Sequence, residues 1–265
     1  MISFVGAGPG APDLMTLRGR DRLAGAAVVV WASSLVPEAV LVHASAGAVV
    51  HDSASMTLED VLSVYADHPD AAIVRLHSGD PCLYGAIQEQ LDWCVANGRD
   101  FEIVPGVSSL GAAAAALGQE LTIPTVAQSV VLTRLAGRTA ASMPERESVA
   151  AFSSHGSTLA VFLSAARPAE LAAQLLAPES AFGPDTPAAI VVRASWPDER
   201  VVRTTVGRLH ADLDAVGART TVLVLVGPAL GGRPDPGARS HLYHPAFAHG
   251  FRRRSEAGST TGRPA

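Results

Sequence analysis

The sequence predicts an α/β fold with a largely parallel sheet, and three observations predict it. Short β-branched runs alternate along the chain with longer Ala/Leu-rich windows of helical period. Three of the runs pass directly into glycine-bearing turns, the usual place for ligand loops in open α/β sheets. Nearly half of the 265 residues are apolar, 48%, yet no apolar run approaches the ~20 residues of a membrane span.

Taken in order, Ile2–Ala7 reads as a strand, Thr16–Gly25 as a helix and Ala27–Trp31 as a second strand. Thr57–His68 is a helix opened by the capping signature around Thr57 and Asp60, followed by a strand over Ala72–His77. Leu83–Asn97 reads as a helix ended by Gly98, then Phe101–Val104 as a strand and Leu110–Leu117 as an Ala-rich helix. A boundary near Gly118–Pro124 divides the chain into α/β domains at 1–118 and 119–233. The second half repeats the alternation. It has strands over Ser129–Thr133, Ser157–Leu163, Ala188–Arg193, Val201–Val206 and Thr220–Val226, helices over Pro168–Leu176 and Val206–Gly217, and a loop over Leu135–Glu147. Residues 234–265 read as a polar tail whose end, Ser255–Ala265, is expected to be disordered.

Composition excludes whole classes of chemistry. All 20 Lys+Arg residues are Arg. No Schiff-base lysine, pyridoxal anchor or Walker lysine is available, so any anion is gripped by Arg, His or backbone N–H. The net charge of −5 argues against nucleic-acid binding. Two cysteines, Cys82 and Cys94, are too few for a disulfide framework or a structural zinc site, and no metal is expected. The opening residues lack a basic n-region, so a cytoplasmic location is the expectation.

Three motifs carry chemistry. The first, Val5-Gly6-Ala7-Gly8-Pro9-Gly10-Ala11-Pro12-Asp13, follows a strand as a dinucleotide fingerprint would. Pro9, however, removes an N–H that a phosphate cradle wants, and the second strand ends without the acid that binds a ribose. The second motif, Arg75 to Gly85, holds Ser78-Gly79-Asp80-Pro81 at a strand end. Gly79 permits close approach of a ligand, and Asp80 with Pro81 reads as the N-cap and first position of the next helix. The third is Val104-Pro105-Gly106-Val107-Ser108-Ser109, with Ser108 as a helix cap. All three loops leave the carboxyl ends of strands in one half, so they should converge on one crevice.

Together these motifs resemble the tetrapyrrole methylases, the S-adenosylmethionine-dependent enzymes of the cobalamin and sirohaem pathways. The resemblance runs from about Ile2 to Arg253. Narrower segments, including Asp52–Leu58, Gly85–Gln90, Glu120–Pro124, Leu132–Arg134, Arg193–Glu199 and Leu242–His249, resemble the branch that methylates C11 of precorrin-4. One departure is the loop after Arg138-Thr139, which reaches Pro144-Glu145 later than the family pattern does. The resemblance implies a homodimer of two-domain subunits with mixed or parallel sheets. A cofactor cleft between the domains would hold S-adenosylmethionine, leaving S-adenosylhomocysteine. Motif matching places Pro9, Ser78, Gly79, Asp80, Leu83, Ser108, Ser109, Leu163 and Ala194 around that cofactor.

A tetrapyrrole bears many carboxylates, which guanidinium forks grip bidentately. Arg18, Arg75, Arg134, Arg138 and Arg193 lie on predicted loops or strand ends and are the candidates. Asp52, His77 and His155 are candidate proton handlers, with no single base favoured. Two alternatives stay open at this stage: a family member acting at another ring position, and a nicotinamide-dependent reductase.

Overall fold

The computed structural model describes residues 1–136, 141, 143–232, 240, 242, 244 and 247–250. The expected substrate residue Arg138, residues 139, 140 and 142 of the lengthened 139–145 loop and the end of the tail lie outside the described residues.

The first half builds one five-stranded sheet. Strands β1 (Ile2–Gly6), β2 (Val28–Trp31), β3 (Val49–Asp52), β4 (Ile73–His77) and β5 (Phe101–Val104) lie in the order β3-β2-β4-β1-β5, all parallel. β1, β2 and β4 are buried on both faces, as a sheet covered by helices requires. On one face α1 (Leu17–Ala24) and a 3-10 segment (Glu38–His43) pack against Val5, Val29, Val74 and Leu76. On the other, α2 (Leu58–Asp67) and α3 (Gln88–Ala96) pack against Phe4, Val30 and Ile73.

The second half builds another sheet. Strands β6 (Val130–Arg134), β7 (Thr158–Phe162), β8 (Pro187–Val192), β9 (Arg200–Thr205) and β10 (Val222–Val226) lie in the order β6-β7-β10-β8-β9. Helices α5 (Val149–Ser153), α6 (Pro168–Leu175) and α7 (Leu209–Val216) cover one face. The other face receives α4 (Ser109–Ala116) from between the halves, with Ala112 and Ala113 set against Ala160, Ala189 and Leu225. Small residues on both sides let helix and sheet approach closely. No helix among the described residues is long and apolar enough to cross a membrane.

Several expectations need correction. The parallel reading holds for the first sheet only. In the second, β6 and β7 are parallel, but every pairing of β10 and β9 is antiparallel. The helix expected from Leu83 begins at Gln88, because Tyr84 and Ala86 sit at φ 58° and 49° and Gly85 is pressed against the Pro81 carbonyl. Asp80 therefore does not cap a helix with Pro81 at its first position. The helix expected from Val206 begins at Leu209 after a turn. Two short elements, β3 and α5, were not anticipated.

Candidate functional site

The three glycine loops do converge. β4, β1 and β5 are neighbours, so their carboxyl ends open side by side. Gly8 and Gly79 exchange backbone hydrogen bonds, 2.8 Å from the Gly79 amide and 3.3 Å from the Gly8 amide. The Asp80 carboxylate accepts from the Cys82 amide at 2.8 Å with one oxygen and from the Gly106 amide at 2.9 Å with the other, tying the second loop to the third. The packing is backbone on backbone. A Cβ on Gly106 would stand 2.0 Å from the Gly79 oxygen, and one on Gly6 would stand 2.5 Å from the Gly106 Cα. Glycine is required here because three chains meet with no room for a side chain. Ser108 caps α4 by accepting from the Leu110 amide, as its position suggested.

Opposite these loops stands one edge of the second sheet. β10 runs antiparallel to β7 and β8, so its start lies beside their ends. Phe162 to Ala165, Val191, Ala194 and Arg219 to Leu223 therefore face the glycine loops, and a cavity of about 230 Å³ lies between. That volume lies just under the range of about 300–1,000 Å³ typical of small-molecule clefts. All nine residues expected around a cofactor line it: Pro9 from the first loop, Ser78, Gly79, Asp80 and Leu83 from the second, Ser108 and Ser109 from the third, and Leu163 and Ala194 from the other sheet. Leu163 is 67% exposed, a large apolar side chain left facing the opening. The Tyr84 and Phe162 rings, one from each half, stand 5.1 Å apart across the cleft.

Backbone strain concentrates at this cavity. Seven described non-glycine residues have positive φ. Tyr84, Leu163 and Thr221 line the cavity, and Arg193 and Ser195 flank the lining residue Ala194. Each such conformation costs of order 1–3 kcal/mol and persists only where the surroundings enforce it. For Thr221, β-branched and at φ 56°, the outlier is plain.

The expected arginines separate. Arg75 is mostly enclosed, with Nη1 donating to Ser53 Oγ at 2.8 Å, and burial lowers its pKa. Arg18 is exposed on α1 near Glu102, whose pKa is lowered first by its hydrogen bond from Arg22 and only last by the Arg18 charge. Arg193 pairs with Asp198 and stacks over Trp196 at 5.3 Å. Arg134, at the end of β6, stands near the cavity: burial raises the pKa of the Tyr84 phenol and this guanidinium pulls it back. Sequence reasoning missed Arg219, which lines the cavity while bonded to Asp214 and the Ala165 carbonyl. It also missed Leu35, Tyr84, which lies inside the second motif, and Phe162, which adjoins the expected Leu163.

None of the candidate proton handlers lines the cavity. Asp52 is exposed and accepts from the Ser33 and Ala54 amides, and bonding from Ser33 first and Ala54 second holds its carboxyl below the usual range. His77 is buried under the second loop, where desolvation and Arg75 push its pKa down to about 3. His155 lies exposed just after α5. Among the described residues no His, Cys, Asp or Glu group is arranged to hold a metal.

A parallel α/β unit and a mixed one, closing a glycine-floored, apolar-walled cleft, define a two-sheet α/β protein with a cavity of small-molecule size between its sheets. The profile of the Tetrapyrrole (Corrin/Porphyrin) Methylases matches residues 1–210, and the chain belongs to that family. It is 44% identical over 257 residues to a precorrin-4 C(11)-methyltransferase of Sinorhizobium sp., covering 96% of this chain and 99% of that one. Among solved structures, a cobalt precorrin-4 methyltransferase superposes with a TM-score of 0.81 at 41% identity, covering 89% of this chain and 96% of that one. A uroporphyrin-III C-methyl transferase from Thermus thermophilus, complexed with S-adenyl homocysteine, superposes with a TM-score of 0.70 at 28% identity, covering 87% and 98%.

Proposed function

We propose that this chain is the methyltransferase that moves a methyl group from S-adenosylmethionine to C11 of precorrin-4 or of its cobalt-bearing form. Near-full-length similarity to enzymes of that name supports the reading. The observation that carries it is the cavity between the sheets, lined by every residue expected around the cofactor.

The cavity's chemistry suits such a cofactor. Apolar walls at Leu35, Leu83, Phe162 and Leu163 offer faces for a nucleoside, and the bare backbone at Gly79 permits close approach. The cofactor supplies a methyl group already activated on a sulfonium. The residues have to hold the donor in line with the acceptor carbon at about 3–3.5 Å and keep water out. Tyr84 and Phe162 narrow the opening between the halves. With no lysine in the chain, the carboxylates of the macrocycle are met by guanidinium groups, and Arg134, whose charge acts on the lining residue Tyr84, is one candidate.

The test is to incubate purified protein with S-adenosylmethionine labelled in its methyl group and with metal-free or cobalt-bearing precorrin-4 separately. Label should enter the macrocycle at C11 by mass and NMR assignment of the product. Label at another ring position, or none with either substrate, refutes the reading.

A further inference from the structure

The turn between β8 and β9, Arg193–Glu199, reaches across to the first glycine loop. Trp196 Nε1 donates to the Pro9 carbonyl at 2.9 Å, and Ser195 Oγ accepts from the Ala11 amide at 3.0 Å. These contacts join residues 187 and 184 positions apart in sequence. Between them lies Gly10, where a Cβ would stand 2.0 Å from Trp196 Cδ1, so the indole is laid on bare backbone. The turn is itself held rigid. Glu199 accepts from the Ser195 amide at 2.6 Å, Arg193 pairs with Asp198 and stacks over the indole, and Arg193 and Ser195 are both fixed at positive φ.

We propose that this turn is a clasp, and that Ser195 and Trp196 are positioning residues that hold the first loop where the cofactor needs it. The proposal rests on the cavity's being the S-adenosylmethionine site. Pro9, which the clasp holds, and Ala194, within the clasp turn, both line that cavity. Pro9 has no N–H, and its carbonyl is taken by Trp196, so it is left to offer a ligand apolar contact. The strained Ser195 is held by Glu199, and Arg193 by Asp198 and by its own amide bonding to the Thr221 carbonyl at 2.8 Å, so a stiffened turn presents Ser195 and Trp196 to the first loop. Without the clasp the loop would sample other positions, and apparent affinity would fall by the fraction of time spent away. The same contacts give Arg193 a role in bracing the indole through its stacking and its pairing with Asp198.

Calorimetric titration of the full chain with S-adenosylhomocysteine tests this on Trp196→Phe and Ser195→Ala, each of which removes one bond across the cleft. Each variant should bind about three- to tenfold more weakly, the ratio that one hydrogen bond of ordinary net worth corresponds to. Tryptophan emission gives a second signature, because Trp196 is one of only three tryptophans and sits at the cavity edge. The emission change that the ligand produces in the parent protein should be lost in Trp196→Phe. Unchanged affinity in both variants, whatever their loss of thermal stability, would show a merely structural contact and overturn the proposal. A parent protein that binds no S-adenosylhomocysteine would instead overturn the cofactor reading of the cavity, a result visible before any variant is made.

Discussion

Asp80 shows how much one side chain settles here. Its two oxygens each take a backbone N–H, one from its own loop and one from the third loop, so a single carboxylate fixes the spacing of two of the glycine loops. Hydrogen bonds to an ionised acceptor are roughly twice as strong as neutral ones, which suits a junction that must not flex. His77 works beneath the same loop in the opposite electrostatic sense. It is buried beside Arg75, and desolvation first and that charge second push its pKa down to about 3. Above pH ~6.5 the ring is neutral folded and unfolded alike, so its contribution to stability is constant there. As pH falls from there towards 3, the unfolded chain takes up a proton that the folded one refuses, and stability is lost through that window. The slope from this one group reaches at most about 1.4 kcal/mol per pH unit. Urea midpoints between pH 7 and 4 should therefore fall less steeply in His77→Gln than in the parent protein. Parallel slopes would mean that the ring is free to ionise in place.

Among the elements, those with a local cause were legible in the sequence. Thr57 and Asp60 form the reciprocal capping box that their spacing announced. Gly98 ends α3 at φ 61° as a C′ glycine should. Thr57→Ala should cost about 1 kcal/mol in denaturant unfolding. The same variant should leave S-adenosylhomocysteine affinity unchanged, because α2 contributes nothing to the cavity lining. A change in affinity would mean that α2 is coupled to the cofactor loops. The elements that misled have causes lying elsewhere in the fold. Leu83, Ile87 and Leu91 repeat at helical spacing, so the helix reads as starting five residues too early. In the folded chain the close pass of Gly85 over Pro81 and the left-handed Tyr84 and Ala86 hold 81–87 open instead. β3 is an edge strand, Val49-Val50-His51-Asp52, largely exposed and with neither an apolar run nor an alternation to mark it, and α5 at five residues is too short for helical periodicity to register. The glycine loops were legible for a definite reason: backbone crowding leaves only one residue type. The arginines and the clasp were not, because a guanidinium's partner and a contact spanning 187 residues are decided by tertiary placement.

At the scale of the molecule, the site exists because two differently built sheets present compatible edges. The first is all parallel, so β4, β1 and β5 deliver three loops to one side. The second reaches the same outcome through antiparallel pairing, which sets the start of β10 beside the ends of β7 and β8. Neither edge alone encloses the cavity. A ligand held there stabilises the folded chain by about 2.7 kcal/mol at a hundredfold excess over its dissociation constant, and contact with both walls would spread that stabilisation over both halves. Amide hydrogen exchange separates the contributions, since it reads protection segment by segment. On adding S-adenosylhomocysteine, protection should rise in β4 and the loop after it, and also at the end of β8 and the start of β10. A rise confined to the first sheet would mean that the cofactor is held by the glycine loops alone, with Leu163, Ala194 and Thr221 standing near the ligand without bearing on it. The left-handed conformations of Leu163 and Thr221, costly and placed on the far wall, favour the two-sided outcome.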